Sequence, residues 1–380
     1  MTAIVTDAHY RMSVSLIRDL FDRGVRVAAC EKASIEAPVG FASRGVRLPD
    51  EEYEAALLAL CREVLEIEGE KPVLLPVGAK TLAMVSRSRD AFSAVAGLCA
   101  ATPSQLTLFN DKAAVSALAK TLGVPVPESF ERQPEEADEP FFSRVPLPCA
   151  VKPHCGESFG LTASQRYRIC RTKDELRAAF HHFKALTNED PIVQEYLPGA
   201  AYGCSVLAKD GAVYRSLCHR RVREYPVSGG PSSCCESVSR SDLLAFSEAL
   251  VQETGFTGPA MFEFKCAADG SPRLLEVNPR VWGTFPLTRA AKTDFAYSWF
   301  CLAANLPLPE EVPAQHVKMA YYPADFAAGL GYLKAGQPGR FFAAAADFLS
   351  PCVKNGIADP KDPAPAQVYF RNLFHRGGHK

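Results

Sequence analysis

Apolar residues along this chain come in two rhythms, short unbroken runs and helical-period stripes, and they alternate from the start. Ala3-Ile4-Val5-Thr6 predicts a short buried strand, Val14, Leu16, Ile17, Leu20 and Phe21 recur at helical spacing up to Gly24, and Val25-Arg26-Val27-Ala28-Ala29-Cys30 predicts the next strand. A helix over about 51–68 and a strand over 72–77 continue the alternation, the signature of a doubly wound parallel sheet. No Gly-x-Gly-x-x-Gly follows the first strand, so a dinucleotide site has little support. His9 and Arg11 follow that strand, at the end where such sheets bind ligands, and a solvated or structural role fits each of them equally well.

A second unit begins near Pro103. Asn110 or Asp111 is placed to cap an amphipathic helix through Val115, Leu118 and Leu122, which stops at Gly123. Residues 124–127 run out extended, and the acidic, proline-containing stretch 131–140 reads as a surface loop. Cys149-Ala150-Val151-Lys152-Pro153 is a strand ending in a lysine, followed by the loop 154–160 with Gly156 and Gly160. A cation at a strand end beside a glycine loop suits phosphate oxygens, though an ordinary turn explains the segment alone about as well. A strand over 166–170 and a helix opened by Thr172-Lys173-Asp174-Glu175 follow. Pro191–Gly199 then supplies a strand, the pair Gln194-Glu195 and a turn; a domain joint here presents backbone groups to a purine edge and Glu195 to ribose hydroxyls.

The most informative stretch is Phe262-Glu263-Phe264-Lys265, a turn at Asp269-Gly270-Ser271-Pro272, and Leu274-Leu275-Glu276-Val277-Asn278-Pro279-Arg280. Each half reads as a buried strand with carboxylates among apolar residues. Period-two alternation puts Glu276 and Asn278 on one face, and an antiparallel pairing brings Glu263 to it. Converging charges are costly unless compensated, and these hard oxygen donors suit Mg²⁺ shared with nucleotide phosphates, with Arg280 beside it for an anionic group. A solvated surface hairpin is the alternative, against which Phe262, Phe264, Leu274, Leu275 and Val277 argue. Upstream, a strand over 212–218 is predicted to end at His219-Arg220-Arg221-Val222-Arg223, ahead of a glycine turn at 228–233. Arg220 or Arg221 is placed there to clamp a carboxylate or the triphosphate; a solvated basic loop is the alternative. Beyond Pro307, 325–333 and 339–349 look helical, 359–365 extended, and 376–380 a frayed tail.

Composition narrows the class. At 380 residues with 47% hydrophobic content, two to three domains with real cores are expected. A net charge of −1 with dispersed basic residues excludes a nucleic-acid footprint or an anionic membrane surface. No apolar run reaches bilayer length and no charged-then-apolar leader pattern opens the chain, so a soluble, cytoplasmic protein is expected. Thirteen cysteines without a Cys-x-x-Cys pair point to reduced, buried thiols, with Cys234-Cys235 incidental and a redox role the lesser option.

The ordered set Lys112, Val151-Lys152-Pro153 with its glycine loop, Gln194-Glu195-Tyr196-Leu197-Pro198-Gly199, Glu263 and Glu276-Val277-Asn278-Pro279-Arg280 resembles the ATP-grasp superfamily, from the first strand to about Leu306. The closing motif, extended through Val281-Trp282-Gly283, looks like the predicted ATP-dependent carboligases related to the ATP-binding halves of carbamoyl-phosphate synthetase. The resemblance implies an α/β (α+β) architecture: a Rossmann-like domain over 1–103, grasp lobes over 104–194 and 195–306, and a C-terminal appendage over 307–380. It implies that Lys112 and Lys152 hold the ATP phosphates under a lid containing His154, Gly156, Ser158 and Gly160. Gln194, Tyr196 and Leu197 meet adenine, with Glu195 near the adenosine. Glu263, Glu276 and Asn278 bind Mg²⁺, or Mn²⁺ in its place, and Arg280 steadies the transferred group. The lid is poorer in Gly and Ser than is usual in the family.

The activity implied is that of a ligase: ATP converts a small-molecule carboxylate to an acyl phosphate, which an amine attacks, releasing ADP and phosphate. The rivals are a carboxylase activating bicarbonate, though nothing resembles a biotin carrier segment, and a catalytically silent ATP-binding scaffold. Small-molecule carboxylates and amines are the expected partners, with neither nucleic acid nor membrane, and a homodimer is compatible with the sequence.

Overall fold

The alternation at the N-terminus becomes a parallel sheet in a computed structural model of the chain, which describes residues 1–376 apart from 37, 41–43, 155–160, 162–164, 166, 228 and 268, with side chains up to 371. Strands β1 (Thr2–Val5), β2 (Arg26–Lys32), β3 (Arg44–Leu48) and β4 (Val73–Leu75) lie in the order β3-β2-β1-β4, every neighbouring pair parallel. Each residue of β1 and β4 is buried, because helices cover both faces and leave no solvated side for polar alternation. The helix Arg11–Asp22 packs Leu16, Ile17 and Leu20 on one face, and Tyr53–Glu68 packs Leu57, Leu60 and Val64 on the other.

The helix Arg11–Asp22 also buries Asp19, whose Oδ2 has no hydrogen-bond partner. Burial, and after it the neighbouring Asp294, raise this carboxyl to about 6 against the pull of Arg289 and Arg23. A folded-state pKa above the unfolded value means the native chain holds the extra proton, so this group's contribution to stability falls as pH rises from about 4 to about 6. Asp19→Asn is therefore expected to stabilise the fold at pH 8 by up to about 3 kcal/mol, with the difference vanishing below pH 4. Denaturant titrations of both proteins at the two pH values check this.

The second sheet is antiparallel: β5 (Ser129–Phe130), β6 (Cys149–Lys152), β7 (Arg168–Cys170) and β8 (Ile192–Glu195), in the order β5-β8-β6-β7. The helix Lys173–Thr187 starts in a capping box between Thr172 and Glu175, as its opening residues predict, and packs Phe180 and Phe183 on the sheet. The expected loop over 131–140 is shorter than the sequence suggests. A helix, Asp138–Arg144, begins inside it, because Phe141 and Phe142 are fully buried beside Phe180 and two acids occupy its first turn.

The third sheet is the largest. Strands β9 (Ala200–Lys209), β10 (Ala212–Glu224), β11 (Ser232–Val238), β12 (Gly258–Cys266), β13 (Pro272–Asn278), β14 (Lys318–Ala320) and β15 (Val353–Asn355) lie in the order β13-β12-β9-β10-β11-β14-β15. One face packs Cys204, Val206, Cys218, Phe262, Phe264 and Val277 against the helix Ser241–Thr254 and the helices at 103–121. Strand β10 continues well past residue 218. The arginines lie within it, bulged near Arg221 and Arg223, because both β9 and β11 keep pairing with it. The segment past Pro307 packs onto the fold, adding β14 and β15 to the sheet and three helices, Ala324–Lys334, Pro338–Leu349 and Ala364–Arg376. Its ties are buried ions: Arg223 pairs with Asp325 at 2.8 Å and with Asp347 at 2.7 Å, and Arg18 of the first domain pairs with Asp362 at 2.8 Å.

Among the described residues the cysteines are free thiols, all buried except Cys352. Burial pushes Cys234 and Cys235 up to about 12, away from a reactive thiolate. No described helix is long and apolar enough to cross a membrane.

Candidate functional site

Strands β12 and β13 pair antiparallel with Glu263 opposite Glu276, the register a converging carboxylate pair requires. Two residues on, Asn278 shares that face, and its Nδ2 donates to Glu263 Oε1 at 3.0 Å. Phe262, Phe264, Leu274 and Val277 point the other way, into the core beneath. Apolar packing on one side thus fixes where the acidic side chains emerge on the other.

Four cations from four elements meet them. Lys112 opens the helix Lys112–Thr121, which Asp111 caps by accepting from the N–H groups of Ala113 and Ala114; its Nζ lies 2.8 Å from Glu276 Oε2. Lys152 stands at the end of β6. Arg221 reaches across from β10, 2.5 Å from Glu263 and 3.6 Å from Glu224. Arg280, just past β13, donates to Asn278 Oδ1 at 3.3 Å and to the Val281 carbonyl at 3.1 Å.

The charges reshape one another. Burial alone would raise the Glu276 carboxyl, but Lys112, with Lys152 and Arg221, outweighs it and holds the group at about 2. Glu263 moves the opposite way: burial raises it, Arg221 only partly offsets this, and Glu276 adds to it. Lys152 is lowered to about 8 by burial and by Lys112, with Glu276 opposing. Two neighbouring carboxylates with divergent pKa values, facing a lysine brought within reach of neutral pH, make this cluster a candidate site for charged ligands.

The purine-edge candidates line the junction of the second and third sheets. Gln194 is buried and pairs with Ser129 and Ala150. The Glu195 carboxylate accepts from the Glu128 N–H at 3.3 Å, and the Leu197 carbonyl accepts from Lys265 Nζ at 2.9 Å, with Tyr196 beside that lysine. His154 Nε2 lies 3.2 Å from the Asp190 carbonyl. Gly156, Ser158 and Gly160 fall outside the described residues.

The two arginine candidates separate cleanly. Arg220 is one residue from Arg221 and therefore on the opposite face of β10, exposed and paired with Glu236 at 2.6 Å, so it does not join the cluster. Arg220→Ala is expected to leave nucleotide binding within about twofold, as for an exposed ion pair, while Arg221→Ala weakens it tenfold or more. Calorimetric titration with Mg·ATP distinguishes the two.

The same alternation brings in residues that sequence reasoning did not single out for the site. Lys265 shares a face with Glu263, and His219 shares one with Arg221. His219 is buried, held at about 3 by burial and then by Arg221, and its Nε2 lies 3.1 Å from Thr284 Oγ1. Its ring passes over Gly203, where an added Cβ would sit 2.2 Å from Cε1. Counting in twos from Glu263 and Arg221 would have found both residues. From the first domain, Arg11 Nε donates to the Gly283 carbonyl at 2.8 Å, and its guanidinium stacks 3.9 Å from the Tyr321 ring centre; His9 instead pairs with Glu31 at 2.6 Å.

Among the described residues no three His, Cys, Asp or Glu side chains group as a metal cage. Glu263, Glu276 and the Asn278 amide oxygen make a smaller, hard-oxygen donor set. It fits Mg²⁺ that keeps part of its shell for water and phosphate oxygens.

Residues 187–322 match a family described as ATP-grasp in the biosynthetic pathway with Ter operon. No curated protein matches the chain by sequence. Among solved structures, Campylobacter jejuni biotin carboxylase aligns at a TM-score of 0.66 and 14% identity over 83% of this chain and 74% of its own. An L-amino acid ligase from Bacillus licheniformis aligns at 0.58 and 15%, over 84% and 79%. An N5-carboxyaminoimidazole ribonucleotide synthetase in its ADP complex aligns at 0.60 and 15%, over 88% and 84%. Residues 187–322 thus carry an ATP-grasp match, and these likenesses show that the chain has the ATP-grasp fold.

Proposed function

We propose that this protein is an ATP-dependent ligase that activates a small-molecule carboxylate as an acyl phosphate and joins it to an amine. The observation that carries this reading is the meeting of Glu263, Glu276 and Asn278 with Lys112, Arg221 and Arg280 on one sheet face, with Lys152 in electrostatic reach. The likeness to an L-amino acid ligase, a biotin carboxylase and an N5-carboxyaminoimidazole ribonucleotide synthetase supports it at the level of the fold.

In this reading Lys112 and Lys152 leave their carboxylate neighbour to take phosphate oxygens, charge for charge. Glu263, Glu276 and Asn278 hold Mg²⁺, which when bound neutralises phosphate charge and aligns the oxygens. A substrate carboxylate oxygen attacks the γ-phosphorus and the bond to ADP breaks. The amine nitrogen then attacks the acyl carbon, expels phosphate and sheds its proton. Arg221 and Arg280 face the charge that accumulates on the transferred group. Gln194, Tyr196, Leu197 and Glu195 receive the nucleoside, and Arg11, held by the Gly283 carbonyl, orients an anionic part of the substrate.

Incubation with ATP, Mg²⁺ and pooled carboxylates and amines tests the proposal. ADP release that requires both a carboxylate and an amine is the expected result. Release that requires bicarbonate would identify a carboxylase, and tight nucleotide binding without turnover across the pools would identify a non-catalytic module.

A further inference from the structure

The C-terminal helical pair is unusually apolar on its outer side. Leu349 is 79% exposed, Phe342 66% and Leu330 55%, and Phe326, Leu333 and Phe348 leave about half their surface in water. Ala343, Ala345 and Ala346 are exposed between them, so the outward face of Pro338–Leu349 carries hardly a polar atom. Tyr322, Phe326 and Phe348 form a ring cluster with centroids 4.6–5.2 Å apart that continues this face.

Both acids of the pair turn inward. Asp325 and Asp347 are bound to Arg223, Asp347 also to Lys318 at 2.6 Å, and Ser233 donates to Asp325 at 3.0 Å. The outward charges are Lys334 and Arg340, both at the turn between the helices. The buried ions clamp the two helices to β10, β11 and β14, so the apolar face is presented rigidly.

We infer that this face, Phe326, Leu330, Leu333, Phe342, Phe348 and Leu349, is the interface through which two copies of the chain form an isologous dimer. At about 200 Å² for a fully exposed large apolar side chain, the six leave on the order of 600 Å² in water, at the upper end of what soluble monomers show. With the three alanines added, the area approaches the roughly 800 Å² that each partner buries in a standard stable interface. Two such faces are self-complementary in chemistry: large side chains project from helices whose alanines allow a neighbouring helix to approach closely. Because Lys334 and Arg340 are confined to the turn, the apolar surfaces can meet with those charges left at the rim. An anionic bilayer would call for cations spread along the polar border of the helices, and two at one end do not supply that.

Sedimentation velocity and light scattering from about 1 to 100 μM test the assignment on the full chain. A dimer with a dissociation constant below about 10 μM is expected, and Leu330→Glu and Leu349→Glu should each weaken it at least a hundredfold. Leu349 is mostly exposed, so its replacement leaves the protomer fold in place, which far-ultraviolet circular dichroism verifies. A monomer at 100 μM overturns the inference. A dimer untouched by either substitution also overturns it, by placing the contact elsewhere. A monomer that cosediments with phosphatidylserine vesicles, and loses this on Leu349→Glu, overturns it in favour of a membrane surface.

Discussion

Glu276→Gln is expected to abolish turnover, at least about a hundredfold in kcat, while leaving the melting temperature within a few degrees of the parent. Three cations bear on this side chain: Lys112 is in contact with it, Lys152 and Arg221 act on it, and together they hold it ionised down to about 2. Glutamine keeps the shape and removes the charge that cancels part of two lysines and, in the proposed reaction, of Mg²⁺. Losing one preorganised charge at a reacting centre commonly costs two to three powers of ten. The fold tolerates the change because the strand is fixed from the opposite face by Val277, Leu274, Phe262 and Phe264. ADP release and Mg²⁺-dependent nucleotide binding, each beside a thermal melt, check it; undiminished activity would remove Glu276 from the proposed metal site. Its carboxyl contributes no titration above pH 4, so any acidic limb of the rate profile belongs to another group.

The alkaline side is expected to belong to Lys152. Burial and the neighbouring Lys112 bring its ammonium to about 8. A phosphate needs the protonated form, so nucleotide affinity should be highest below pH 8 and fall, by up to about tenfold per pH unit, as pH rises through that value. Lys152→Met should weaken Mg·ATP binding about a hundredfold at pH 7, the scale of one or two charge-assisted hydrogen bonds, and flatten the alkaline decline. Lys152→Arg, which stays charged, should flatten the decline while keeping most of the affinity. A decline that persists unchanged in both variants would assign it to another group. Stability runs the other way: a lowered lysine pKa makes the fold gain stability as pH rises from about 8 to about 10.5, because the unfolded chain then holds the extra proton.

How much of this was legible beforehand depended on which period carried the information. Glu263, Glu276 and Asn278 were readable because strand alternation and a short hairpin leave few alternatives for where their side chains go, and the observed register agrees. Arg220 and Arg221 were not separable by type or position; the strand was expected to stop before them, and only its continuation through β9 and β11 pairing put one on each face. Asp138–Arg144 hid inside an acidic, proline-containing stretch because its stability comes from burying Phe141 and Phe142 against a helix some forty residues later. His219 over Gly203, and Arg11 at Gly283, are contacts between segments far apart in the chain, and no local pattern announces them.

The sequence by itself determined much of the strand and helix order, the parallel first sheet and the placing of acids and lysines at strand and helix ends, because these follow from hydrophobic period and capping over a few neighbouring residues. Tertiary structure alone decided which charges meet, the shift of Lys152 toward neutral pH, the side of the sheet each arginine serves and the anchoring of the last seventy residues on Arg223 and Arg18. Electrostatic coupling depends on distance and burial, and both are set by packing between segments that the chain keeps far apart.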